Sequence, residues 1–277
     1  MPVARLTYAD RYYFQTRRTA THIYLRPHPA LWPYVAHYTL CLASPQPAAP
    51  ETGTLTLIPD ASGCLVFTLL PQGLEGRMYG PTTETVTVQN DLGVCPLRFF
   101  VEFRPGGLYA FTGIPQWELA DRVWPLADTH PDLDRAVTRL FAQSDDLDDF
   151  VLAVDRLLLS RLPTPAPVLP MLRLLARDAT PAPVQSLADY TGYSPRQLSR
   201  LFREGAGMGA KAFAQVLRVN AAVRRLQAGE SSLTRLAQEL GYYDQAHFIH
   251  DFKRVAGVTP GVYRAGLPGF YNEPLKF

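Results

Sequence analysis

One pattern between residues 187 and 253 occurs twice, and it constrains the fold more than any other feature. The first copy runs from Leu187-Ala188 through a short amphipathic stretch to Gly192-Tyr193, then a polar residue, Ser194, then a second amphipathic stretch ending in Phe202-Arg203. The second copy runs from Leu236-Ala237 to Gly241-Tyr242, then Asp244, then a stretch ending in Phe252-Lys253. A short helix, a glycine turn and a capped second helix make a helix-turn-helix. Ala188 and Ala237 are small enough to let the two helices cross closely. In each second helix, Leu198/Phe202 and Phe248/Phe252 are i,i+4 pairs and lie on one face.

The opposite faces are polar. The first presents Arg196, Ser199, Arg200 and Arg203, and the second Gln245, Ala246, His250 and Lys253. Arginine forks onto guanine O6/N7 and glutamine onto adenine N6/N7, while Lys253 and the remaining arginines neutralise phosphates. Ile249 turns either outward to a thymine methyl or inward to the core. The helix pattern between the copies, Gly209 to Ala228, predicts a rod about 30 Å long at 1.5 Å per residue. That is close to one turn of duplex DNA, about 34 Å. One chain can thus set two reading helices in successive major grooves.

Residues 184–264 resemble the DNA-binding domain of the AraC/XylS family of bacterial transcription regulators. The resemblance rests on Gly241, Tyr242, Asp244, Phe248, Phe252, Lys253, Gly257, Thr259, Pro260, Tyr263 and Arg264, and on the linker-helix residues Lys211-Ala212-Phe213, Leu217-Arg218, Ala221 and Leu226. It implies that Arg196, Ser199 and Arg200 face bases in the first motif, and Gln245, Ala246, Ile249 and His250 in the second. A weaker resemblance, in 24–38 and 103–111, implies a small β-barrel-like sensor domain found in one branch of these regulators.

Charge follows the same division. Residues 181–264 hold eleven Lys and Arg against six Asp and Glu, whereas the rest of the chain holds sixteen against nineteen. A basic C-terminal unit beside a mildly acidic one points to a polyanionic partner for the former. A length of 277 residues suits two domains.

The N-terminal half reads as β: 54–58, 64–70, 84–88 and 97–103, separated by turn signals such as Pro71-Gln72-Gly73 and Asn90-Asp91-Leu92-Gly93. Helices are expected at 131–142 and 147–162, the second opened by the acidic run Asp145–Asp149, whose charges suit a helix N-terminus. Two proline-rich stretches, Pro163–Pro167 and Thr180–Pro183, flank a short helix at about 168–177 and act as stiff spacers. The fold class expected is α+β: an N-terminal small β-barrel or sandwich with flanking helices, and a C-terminal all-α domain. Its divisions are 1–165, a linker at 166–183, the DNA-binding domain at 184–264 and a tail at 265–277.

A ligand pocket in the first domain is expected to draw on Trp32, Tyr38, Arg98, Phe100, Glu102 and Tyr109. A histidine-lined metal barrel is not expected, because residues 38–129 contain no histidine. Cys41, Cys64 and Cys95 form no CxxC and suit a reducing compartment. No nucleophile elbow, P-loop or dinucleotide fingerprint is present. No catalytic residue, metal or cofactor is therefore assigned.

The expected partners are double-stranded promoter or operator DNA, a small-molecule effector, RNA polymerase and a second copy of the chain, in the cytoplasm and without a membrane. Two rival readings are an architectural DNA-binding protein that only dimerises, and an enzyme with a catalytic β-barrel.

Overall fold

Alternating strands from the first half of the chain pair into a seven-stranded antiparallel sheet. Its order is β1 (Gln15–Arg18), β2 (His22–Leu25), β3 (Val35–Leu42), β8 (Leu97–Phe103), β5 (Cys64–Leu70), β6 (Gly73–Tyr79) and β9 (Val123–Pro125). A second sheet sets β4 (Thr54–Leu57) between β7 (Val86–Gln89) and β10 (Phe270–Tyr271), the last running parallel to β4. The computed structural model describes residues 6–9, 11, 15–19, 22–43, 54–89, 95–164, 167–177, 184–266 and 270–271. The spacer Thr180–Pro183 and the turn Asn90–Gly93 lie outside them.

Strand register sorts side chains onto two faces, since neighbours along a strand point to opposite sides. Tyr38 pairs with Val101, and Leu65 pairs with Val101 from the other flank, so Tyr38, Leu65, Phe67, Phe99, Val101 and Phe103 share one face. Helices α4 (Pro131–Gln143) and α5 (Leu147–Ser160) cover it. Phe150 of α5 meets Phe99 at 5.0 Å between ring centroids and Phe141 at 5.2 Å. The acidic run does open α5: Asp146 caps it by accepting from the Asp149 amide at 3.0 Å. Asp148 is turned inward instead, and its carboxylate accepts from the amides of Ala9 and Arg11.

Three short helices, α1 (Gly107–Thr112), α2 (Gln116–Leu119) and α3 (Leu126–Thr129), follow β8 and flank β9. The second core is all helical: α7 (Val184–Thr191), α8 (Pro195–Ala206), α9 (Ala210–Gln227), α10 (Leu233–Glu239), α11 (Gln245–Ala256) and α12 (Pro260–Ala265). This is the α+β organisation expected from the sequence.

The linker helix α6 (Val168–Arg177) is a structural member, not a strut between domains. Val168, Met171, Leu172 and Leu175 are buried in the C-terminal core, and Leu169 is buried in the N-terminal one. Ile58 and Ala61 of the first domain likewise join the C-terminal core. Fully burying an aliphatic side chain contributes about 1.5–3 kcal/mol, so these residues bind the two units firmly. A polar bond crosses with them: Asn220 of α9, fully buried, donates from Nδ2 to the Pro59 carbonyl at 2.7 Å.

Candidate nucleic-acid interface

Each reading helix is defined at both ends by local chemistry. Ser194 caps α8: its hydroxyl accepts from the Gln197 amide at 3.3 Å, while Gln197 Oε1 accepts from the Ser194 amide at 2.9 Å. This reciprocal pair satisfies two amides that a helix start leaves without partners. Pro195 follows at the first helical position, where a missing N–H costs nothing. At α11, Asp244 Oδ1 accepts from the His247 amide at 2.7 Å. Both helices end on a left-handed glycine, Gly207 (φ 76°) and Gly257 (φ 73°).

The inner faces anchor both helices. Leu198, Phe202, Phe248 and Phe252 are wholly buried. Phe202 meets Phe213 of α9 edge-on at 5.8 Å, and Phe252 meets Tyr263 of α12 at 5.7 Å. Tyr242, in the second turn, is pinned beneath the Arg218 guanidinium, 4.8 Å from its ring centroid. Burial pushes its phenol up to about 12, so the ring is neutral at any working pH.

The outer faces present what the sequence places there. Arg196, Ser199, Arg200 and Arg203 of α8 are exposed, as are Gln245, Ala246, His250 and Lys253 of α11. Ile249 is half-buried: it packs in part against the helical core and keeps the rest of its side chain accessible. Arg200 approaches Glu204 at 3.7 Å, and Gln245 Oε1 accepts from Thr234 at 2.7 Å. His247 packs edge-on to Tyr242 at 5.3 Å. His247 and His250 each lie 3.7 Å from the buried carboxylate of Asp251.

Two features escape sequence reasoning. Trp117 of α2 forms one wall of a cleft of about 460 Å³ whose other wall is Arg196, Ser199, Arg200, Arg203 and Glu204. The Arg203 guanidinium lies over its ring, 6.0 Å from the centroid. The connection from β6 to β7 also reaches both reading helices. A Cβ at Gly207 would sit 2.9 Å from Pro81, and one at Gly257 would sit 3.3 Å from the Thr85 hydroxyl. Thr83 ties this connection to Asp121 by two bonds, 2.8 Å from its amide and 2.6 Å from its hydroxyl.

The six pocket residues expected in the first domain do not converge. Arg98, Phe100 and Glu102 alternate along β8 on the sheet face opposite α5, beside His37, Thr39 and Cys41 of β3. Tyr38 is on the other face, fully buried, donating to Asp155 at 2.9 Å. Trp32 stands at the end of a short 3-10 helix, its indole donating to the Pro27 carbonyl at 2.8 Å and stacked by Arg26. Tyr109 lies on α1 and packs toward the helical core. A strand's alternation is visible in sequence, but which face a helix covers is not. The residues that join Arg98, Phe100 and Glu102 are instead His37 and Thr39, both buried, and Tyr24, whose ring lies 5.7 Å from that of His37. Among the described residues, no group of three or more His, Cys, Asp or Glu is placed to hold a metal, and no helix is long and apolar enough to cross a membrane.

Residues 187–266 match a helix-turn-helix domain model, and residues 24–125 match a domain of unknown function, DUF6597. The chain is 39% identical over 79 residues to the HTH-type transcriptional regulator GlxA of Rhizobium meliloti, a match covering 28% of this chain and 24% of that protein. It is 29% identical over 90 residues to the arabinose operon regulatory protein of Escherichia coli, covering 32% and 31%. A solved AraC-type transcriptional regulator from Chromobacterium violaceum is 29% identical, with a TM-score of 0.31, over 33% of this chain and 82% of that one. The chain thus spans about a quarter to a third of the length of these curated relatives.

Proposed function

We propose that this chain, which belongs through its C-terminal domain to the AraC/XylS family of transcription regulators, binds a long asymmetric DNA site with α8 and α11 and regulates transcription there. The observation that carries this reading is the doubled element itself. Two capped helices each bury an i,i+4 apolar pair, Leu198/Phe202 and Phe248/Phe252, and each present a polar, cationic stripe. Their linker α9, at 18 residues, spans about 27 Å. That length is comparable with one turn of B-form DNA, about 34 Å, which supports reading by both stripes.

In this reading Arg196, Ser199 and Arg200 read base edges in one groove. Gln245, Ala246 and His250 read the next, with Ile249 supplying an apolar edge. Arg203 and Lys253 neutralise phosphates. Promoter DNA, RNA polymerase and a second copy of the chain are the partners such a regulator engages, in the cytoplasm. No catalytic step is assigned to the chain.

The first domain, in the same reading, senses a small polar molecule. The sheet face of Arg98, Phe100 and Glu102 supports this, because it continues into buried His37 and Thr39. The Thr39 hydroxyl has no hydrogen-bond partner among the described residues. A buried hydroxyl without a partner is costly, and a ligand that offers it a donor or acceptor removes that cost. Trp32, Tyr38 and Tyr109 fall outside this face and are not carried into the proposed pocket.

Selection of bound duplexes from a random pool tests the DNA reading. The recovered sites should contain two elements about one helical turn, ~34 Å, apart. Recovery of no common sequence would overturn it.

A further inference from the structure

The cleft between the two domains has a geometric consequence for DNA binding. A B-form major groove is about 12 Å wide, and an α-helix with its side chains is about 10–12 Å across. A reading helix therefore fills the groove, and nothing else can share its outward stripe. In this chain something does: Trp117 faces Arg196, Ser199, Arg200, Arg203 and Glu204, the run of i, i+3, i+4, i+7 and i+8 positions that makes up that stripe on α8.

Trp117 is also firmly mounted. It is carried by α2, where Leu119 is buried in the N-terminal core and Gln116 is buried with its amide donating to the Ile114 carbonyl at 2.8 Å. The same helix abuts the end of α8, since a Cβ at Gly207 would sit 3.1 Å from the Gln116 carbonyl oxygen. The outward stripe of α11 is treated differently. Apart from half-buried Glu204, the side chains of both stripes are exposed, but that of α8 shares a cleft with Trp117, whereas the first domain approaches α11 at Gly257, past its C-terminal end.

Building on the DNA-binding reading, we infer that Trp117 is a stop for the first reading helix: the first domain holds α8 out of full-depth contact with a major groove while α11 remains open. Full reading of a two-element site then requires α2 to leave the α8 stripe, and the energy of that departure is subtracted from binding. The indole is about half exposed, at 49%, so it contributes more to this obstruction than to the core. Cation–π contact with Arg203 favours the closed arrangement. A ligand that loosened α2 would raise DNA affinity by releasing α8 alone.

The test uses the full chain, wild type against Trp117→Ala, on a complete duplex recovered by selection and on one whose α8-read element is scrambled. Trp117→Ala should bind the complete duplex about tenfold tighter and the scrambled one unchanged. Hydroxyl-radical footprints should show weak protection of the α8 element by wild type and full protection by the variant. Trp117→Leu, which keeps the position apolar, should behave in the same way and guards against a folding defect in the alanine variant. Weaker binding by both variants would make Trp117 a DNA contact and overturn the inference. Unchanged binding, or an equal gain on both duplexes, would also overturn it. If neither wild type nor variant binds any duplex sequence-specifically, the DNA-binding reading fails, and the stop with it.

Discussion

Replacing Asn220 with alanine isolates one bond between the domains. Asn220 is fully buried on α9, and its Nδ2 donates to the Pro59 carbonyl at 2.7 Å and to the Val216 carbonyl at 2.9 Å. These two losses are unequal. Val216 is four residues upstream on the same helix, so its carbonyl retains a helical amide donor. Pro59 is buried on the first domain and loses the donor that α9 supplies. An acceptor stranded in this way costs about 1–3 kcal/mol. Two terms work against the loss. Asn220 Oδ1 has no partner among the described residues, so its removal relieves a burial cost, and alanine is the better helix former by up to about 0.7 kcal/mol. The net loss should be about 1–2 kcal/mol, read from the urea midpoint of the intact chain with an unchanged m-value. Asn220→Asp should cost more, because it sets a carboxylate against the Pro59 carbonyl. A loss below about 0.5 kcal/mol for alanine would mean that water replaces the amide and that this bond does not hold the domains together.

Three further outcomes are expected. Arg200→Ala should weaken the selected duplex by up to about 1–3 kcal/mol in a titration, the full loss appearing where Trp117→Ala has freed α8, and leave random DNA nearly untouched, whereas an equal loss on both would make Arg200 a phosphate contact. Lys253→Ala should lower the slope of log affinity against log salt by about one unit, and an unchanged slope would remove Lys253 from the interface. Asp134 is held above the usual carboxylate range, first by burial and then by Glu75, against the opposing pulls of Arg135 and the Gly76 amide. Its ionisation therefore opposes folding: its contribution is most favourable below the unfolded-state pKa and is lost as pH rises through the raised one. Asp134→Asn should be the more stable protein at pH 7, with the advantage disappearing in acid, and a urea midpoint unaffected by the substitution at both pH values would refute this.

The helical domain is legible because its boundaries are written in single residues. Ser194, Asp244 and Thr259 accept amide bonds at helix starts, and Gly207 and Gly257 take left-handed conformations at helix ends. The sheet is harder to read. β6 carries two glycines and two charges in seven residues and shows no strand propensity, yet Gly76 is required there. A Cβ on it would lie 2.9 Å from the Phe67 ring and 3.2 Å from Leu126. β3 is almost wholly buried, so it lacks the alternation that marks a half-solvated strand. The linker is legible as a short helix but not as a shared piece of both cores. Leu169 and Leu172 are the same residue type one helical turn apart, yet the first serves the N-terminal core and the second the C-terminal one. Trp117 is visible in sequence as an aromatic that could line a pocket, but nothing local says that a residue so far upstream will stand beside Arg203.

The Pro81–Thr85 connection gives both reading helices a single footing. Each helix is 12 residues long, about 18 Å, and is touched at its far, glycine-capped end. Each therefore behaves as a lever whose fulcrum sits in the first domain and whose tip carries the base-reading side chains. A tilt of about 5° at the footing sweeps the tip through roughly 1.6 Å over that length. A bidentate bond to a base edge does not survive such a sweep, because hydrogen bonds tolerate only a few tenths of an ångström in length. Distortions of the sheet too small to alter its own pairing are thus magnified where the sequence of the duplex is read.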